Sequence, residues 1–214
     1  MPTVTSEIRT VLVVAAERFE LKYIRPRADR RWILKANGPG GGLAGEAADS
    51  VGPEVDLVLS VGLCGALVDG LEIGQIVVGS SINGIPIDRP QFLGSAVSGP
   101  IVSIDGVAQT VAEKRRLRET GAIAVEMEAA AVLERALAWK VPFYCIRAVS
   151  DRASEGFALD LNAARDEVGR FNAHRILAQA VRRPRVGIPE LWRLRRNSEI
   201  AAKALGEFIG NCSF

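Results

Sequence analysis

The chain has 214 residues, 48% of them apolar but only 6% aromatic, which suits one domain with an aliphatic core. A net charge of +2 gives no ground for general nucleic-acid binding, and no apolar run reaches the roughly 18 residues of a membrane span. Three scattered cysteines and a single histidine argue against a disulfide framework or a zinc site. The N-terminus lacks the basic-plus-apolar pattern of a secretory leader, so a cytoplasmic protein with reduced thiols is expected.

In chain order, residues 10–15 read as a short Val-rich strand followed by Glu17 and Glu20. A glycine run, Gly38-Pro39-Gly40-Gly41-Gly42, precedes a helix-like segment at 43–50. A strand at 55–61 runs into the turn Gly62-Leu63-Cys64-Gly65, and a further strand is expected at 73–78. A strand at 101–104 precedes a helix over 107–119, and a strand at 122–125 meets an Ala-rich helix over 127–139. Pro142 introduces the last strand, 143–149, ahead of a helical stretch over 161–181. Short Val/Ile strands alternating with helices indicate an α/β fold. The expectation is a single domain, residues 1–181, with a central, mostly parallel twisted sheet flanked by helices, and a basic amphipathic helical extension over 182–214. Leu191, Leu194, Ala201, Ala202, Leu205, Phe208 and Ile209 recur there at helical spacing beside crowded arginines. Such a helix rests on an anionic membrane surface or packs on protein. On the membrane alternative, deletion beyond Arg183 should spare cleavage of a soluble substrate.

Ligands of open α/β sheets gather beyond the carboxyl ends of the strands. That rule collects Glu17, Glu20, the 62–65 turn, Glu126, Glu128 and Asp151 at one edge. Glu126 and Glu128 interrupt an apolar run where a helix begins, a costly place for charge unless something polar is held there.

Val125-Glu126-Met127-Glu128-Ala129, followed by Arg147-Ala148-Val149-Ser150-Asp151, resembles the signature of the nucleoside phosphorylase and methylthioadenosine/S-adenosylhomocysteine nucleosidase superfamily. Val61-Gly62-Leu63-Cys64-Gly65-Ala66-Leu67, leading into Ile73-Gly74-Gln75-Ile76-Val77-Val78, fits the same order, and the resemblance spans about residues 11–179. Within the superfamily the likeness is greatest to hopanoid-biosynthesis-associated phosphorylases, which remove adenine from an adenosyl-hopane. Those proteins carry a tail similar to Arg182-Arg183-Pro184 through Pro189-Glu190-Leu191-Trp192-Arg193-Leu194.

The resemblance implies cleavage of a purine N-glycosidic bond. Asp151 would protonate the purine at N7, Glu128 would bind the ribose 2′ and 3′ hydroxyls, Met127 would pack on the sugar, and Glu20 would deprotonate the attacking water. Gly62, Leu63, Cys64 and Gly65 would border the ligand. Val107 falls near the place of a stacking aromatic, and Glu126 would lie beside the sugar or serve a structural role. Arg147, inside an apolar strand, reads as a buried ion-pair partner, and His174 as filler. Phosphorylases of the superfamily hold phosphate with an arginine and a hydroxyl at the positions filled here by Ser60 and Leu63, so water is the expected nucleophile unless Arg18 or the glycine run supplies an anion site. The segment 83–100 is shorter than in typical members, which opens the pocket toward a bulky 5′ group. No cofactor is implied, beyond phosphate as co-substrate if the protein is a phosphorylase. A homo-oligomer is expected, and the alternatives to adenosyl-hopane cleavage are a methylthioadenosine/S-adenosylhomocysteine nucleosidase, a futalosine hydrolase, an inactive nucleoside-binding protein or an unrelated binding module.

Overall fold

In the computed structural model, which describes residues 8–214, strand β1 (Thr10–Ala15) has no polar face. Val11, Val13 and Ala15 join one core cluster, while Leu12 and Val14 join another on the opposite side. A strand covered on both faces belongs inside a sheet, and β1 lies parallel between β2 (Arg31–Ala36) and β3 (Leu57–Ala66). The other strands are β4 (Ile76–Ile82), β5 (Ile85–Pro86), β6 (Gln91–Phe92), β7 (Val97–Ser103), β8 (Ala124–Glu126), β9 (Phe143–Asp151) and β10 (Cys212–Ser213). The helices are α1 (Gly41–Asp49), α2 (Val111–Arg118), α3 (Ala129–Trp139), α4 (Ala173–Arg182) and α5 (Pro184–Gly210), with a 3-10 turn at Arg18–Leu21. Together they form a single α/β domain. Residues 1–7, which begin the N-terminus read above for a leader, lie outside the described residues.

The sheet is mixed and partly closed. β3 pairs β8, β8 pairs β7, β7 pairs β4, β4 pairs β9, and β9 returns to β3. Residues 67–75 joining β3 to β4 contain no helix, too little chain for a parallel crossover, so β4 runs antiparallel to its neighbour β9. β3 is long enough to serve both parts: Leu57–Ser60 pair with β1, and Gly65 and Ala66 pair with β8. Where β3 meets β9 the register slips between Cys64 and Gly65, so Val149 lies opposite Cys64 and Asp151 opposite Gly65. Such irregularities re-aim side chains, and this one falls at the two motifs that mattered most in the sequence.

Several boundaries differ from expectation for local reasons. Helix α2 starts at Val111, four residues later than its pattern suggested, because Thr110 and Glu113 cap each other's backbone N–H groups. Residues 161–172 are not helical. Asp166 accepts from the N–H groups of Val168 and Arg170, Gly169 has φ +95°, and Asn172 caps α4 by accepting from His174 and Arg175. β2 escaped the reading because Arg31 and Lys35 interrupt its apolar run.

The C-terminal helix is committed to the core. Ala201, Ala202, Leu205, Phe208 and Ile209 of α5 pack with Val11, Val13, Leu57 and Leu59, and β10 pairs with β6. Truncation beyond Arg183 would strip this layer from the sheet, so the expectation that it spares cleavage is withdrawn. What α4 and α5 leave outside is Leu177, Val181, Val186, Ile188 and Trp192, all exposed, with exposed Arg182, Arg183, Arg185, Arg195 and Arg196 among them.

Candidate active site

The 3-10 turn after β1 folds Glu20 back into the protein, where it is only 4% exposed. Its carboxylate accepts from the N–H of Glu17 at 2.8 Å and from that of Leu63 at 3.0 Å. Gly62 does not border the cavity described below. It makes room behind Glu20: its φ is +149°, and a Cβ there would lie 3.0 Å from Glu20 Oε1. Burial raises the Glu20 pKa, against the pull of the two N–H donors and of Arg147.

At the junction of β8 and α3 the two glutamates divide their work. Glu126 Oε2 accepts from the N–H groups of Glu128 and Ala129 at 2.9 and 2.8 Å, satisfying the first turn of α3, and from Arg147 Nη2 at 2.5 Å. None of its side chain is exposed, and Glu126 holds α3 and Arg147 in place while also lining the cavity described below. Glu128 instead reaches across to α1 and accepts from the Gly40 N–H at 2.8 Å. Burial and the neighbouring Glu126 carboxylate push its pKa up to about 8.

Asp151 closes β9. Its Oδ1 accepts from Ser150 Oγ at 2.8 Å, and its Oδ2 accepts from the ammonium of Lys114. Burial raises its pKa in spite of the lysine. Gly65 is required here, since a Cβ would stand 2.8 Å from Asp151 Oδ2.

Glu20, Glu128 and Asp151 border one cavity of about 310 Å³, within the range of small-ligand sites. Met127, Leu63, Cys64, Gly65 and Val107 border it too. The Cys64 thiol is pushed well up by burial and stays neutral. Sequence reasoning did not find Lys114, which hides in a mostly charged helix whose other residues are exposed or half-buried, or the aromatic lining. Phe157, Phe171 and half-exposed Phe19 line the cavity where Val107 alone had been marked, and Leu194 and Ser198 bring α5 to its wall. Among the described residues no group of three or more His, Cys, Asp or Glu side chains could hold a metal ion.

Residues 92–182 match the phosphorylase superfamily. A methylthioadenosine/S-adenosylhomocysteine nucleosidase of Shewanella denitrificans is 25% identical over 158 residues, covering 58% of this chain and 69% of that protein. Among solved structures, the Helicobacter pylori enzyme of the same nucleosidase name, in complex with a pyrrolopyrimidine-bearing compound, superposes with a TM-score of 0.67 at 17% identity, covering 96% of this chain and 97% of the other. The native futalosine hydrolase of the same organism gives a TM-score of 0.67 at 17% identity, covering 95% and 96%. At that identity the two structures speak to the fold.

In this chain the candidate anion donors are already engaged or lie off the cavity. Ser60 Oγ accepts from Arg147 Nη2 at 2.8 Å, Arg147 itself is tied to Glu126, and Arg18 is exposed and outside the cavity lining. The glycine run does open α1, at Gly41, but the Gly40 N–H there is given to Glu128, so the helix N-terminus faces the protein's own carboxylate.

Proposed function

We propose that this protein hydrolyses the N-glycosidic bond of a purine nucleoside of adenosyl type, releasing adenine. The observation that carries the reading is the convergence of three buried acids, Glu20, Glu128 and Asp151, on one nucleoside-sized cavity. Glu128 accepts hydrogen bonds from the ribose hydroxyls and stabilises positive charge at C1′. The C1′–N9 bond breaks with its electron pair passing to the purine, which takes a proton at N7 from Asp151. Water adds to C1′ and gives its proton to Glu20, whose raised pKa makes it a better base. The engaged state of Ser60, Arg147 and Gly40 favours water over phosphate.

The finer reading is a substrate with a bulky apolar 5′ group, such as adenosylhopane. Leu194 and Phe19 give the cavity an apolar wall, and α5 carries that wall on one side while presenting Trp192, 67% exposed, with Arg195 and Arg196 outside. This basic, apolar face suits peripheral contact with an anionic, cytoplasmic membrane leaflet. No helix of the described residues is long and apolar enough to cross a membrane. Phe19, 39% exposed at the cavity, is the side chain a second copy would cover in a homo-oligomer. The similarity to methylthioadenosine/S-adenosylhomocysteine nucleosidases favours their small thio-substituted substrates as the second reading.

Purified protein incubated with adenosine, methylthioadenosine, S-adenosylhomocysteine, futalosine and an adenosyl-lipid, with and without phosphate, should release free base at a rate indifferent to phosphate. Binding of these nucleosides without base release would leave an inactive binding protein, and strict phosphate dependence would leave a phosphorylase. In a flotation assay the protein should bind phosphatidylglycerol vesicles but not phosphatidylcholine ones. The exposed triple variant Trp192→Ser, Arg195→Glu, Arg196→Glu should lose that binding, and equal flotation of parent and variant would discard the membrane reading.

A further inference from the structure

Lysine 114 is the one buried residue of α2, 1% exposed in a helix whose other positions face solvent wholly or in part. A buried ammonium is tolerated only when its donors are met. Here all three are: Nζ donates to Asp151 Oδ2, to the Arg152 carbonyl at 2.6 Å and to the Glu155 carbonyl at 2.9 Å. With no donor left, Lys114 cannot touch a substrate. Its effect must pass through Asp151 and through the turn that follows β9, whose two carbonyls it pins.

We propose that Lys114 is a positioning residue that orients Asp151 and sets the pH range over which Asp151 can give up a proton to the departing base. The proposal rests on the nucleosidase reading. Lys114 fixes Oδ2, for which the missing side chain of Gly65 leaves room, and Oδ1, beside Ser150, is the oxygen available to the base. An ammonium against Oδ2 favours the carboxylate, while the acid that protonates N7 must carry a proton, so Lys114 holds the upper pH limit of activity down. The other charged or titratable groups facing Asp151 are Glu155 in the following turn, Arg193 of α5 and Cys64 of β3. Arg193 is shared with Glu190 and Glu155, so Lys114 is the cation in direct contact with Asp151.

The test is the pH profile of kcat on methylthioadenosine or whichever panel nucleoside is turned over. Lys114→Gln keeps two donors for the carbonyls of residues 152 and 155 but removes the charge, so Asp151 stays protonated to higher pH. The alkaline limb should move up by about one unit or more, with Lys114→Arg restoring the parent limb. Superimposable limbs in folded parent and Gln variant would overturn the proposal. Should the Gln variant fail to fold, carboxyl ¹³C NMR of the parent decides: the Asp151 signal should titrate together with the alkaline limb, and titration elsewhere counts against the idea. Glu128→Gln run alongside separates the two levels. If it retains full activity the nucleosidase reading itself fails, whereas if it is inactive and the Lys114 limbs coincide, only the role of Lys114 is lost.

Discussion

Asp151→Asn should lower kcat for release of the free base by about 10²- to 10⁴-fold, the usual contribution of a positioned general acid. That corresponds to roughly 3–5 kcal/mol of transition-state stabilisation. The amide keeps the shape and can still face Ser150, but it has no acidic proton to pass to N7, so the purine must leave as a poorer leaving group. KM should change little if the interaction is made chiefly as the bond breaks. Because Asn also leaves the Lys114 ammonium without its carboxylate partner, the variant loses stability, and kcat must be read well below its unfolding temperature. Single-turnover measurement of free base decides the matter. A variant with parental kcat would show that Asp151 is a structural partner of Lys114 and nothing more.

The acidic motifs were legible because charge in an apolar run is expensive: Glu126 and Asp151 each end a strand, Glu128 stands where α3 begins, and a carboxylate does not sit there without a reason. Which of the two cavity-lining glutamates also holds the helix start was not legible. The choice depends on Arg147, twenty-one residues away in the chain, reaching Glu126, and on the Gly40 N–H, eighty-eight residues away, reaching Glu128. Strand positions followed from short apolar runs, but closure of the sheet did not, since it arises from the helix-free connection after β3 and from a slipped register at Cys64 and Gly65. Lys114 was invisible for the same kind of reason. A lysine among Glu113, Arg115 and Arg116 reads as a solvated face until β9 and its following turn are laid against α2.

Arg147→Met should be the most destabilising single change. Arg147 is wholly buried in β9 and is the counter-charge of Glu126, with Ser60 and the Ile146 carbonyl as further partners. Removing one member of a buried pair leaves the other charged and unsolvated, at about 3–5 kcal/mol. For a domain of this size that is roughly a 6–20 °C fall in Tm. Glu126→Gln added to Arg147→Met should recover part of the loss, because the double variant buries no unpaired charge, and a strictly additive result would show that the two side chains are not coupled. The deficit should also depend on pH. In the parent, burial and Glu126 already lift Glu128 from 4.5 to about 8, so its contribution to stability is complete below pH 4.5 and is lost as pH rises through about 8. Arg147 opposes that rise at both Glu128 and Glu20, so without it both carboxyls are raised further and their protonated forms are the ones the fold tolerates. The gap in Tm between parent and Arg147→Met should therefore narrow as the pH is lowered from 8 toward 5. A gap that widens on acidification would mean that Arg147 does not oppose the raised pKa of Glu128 and Glu20.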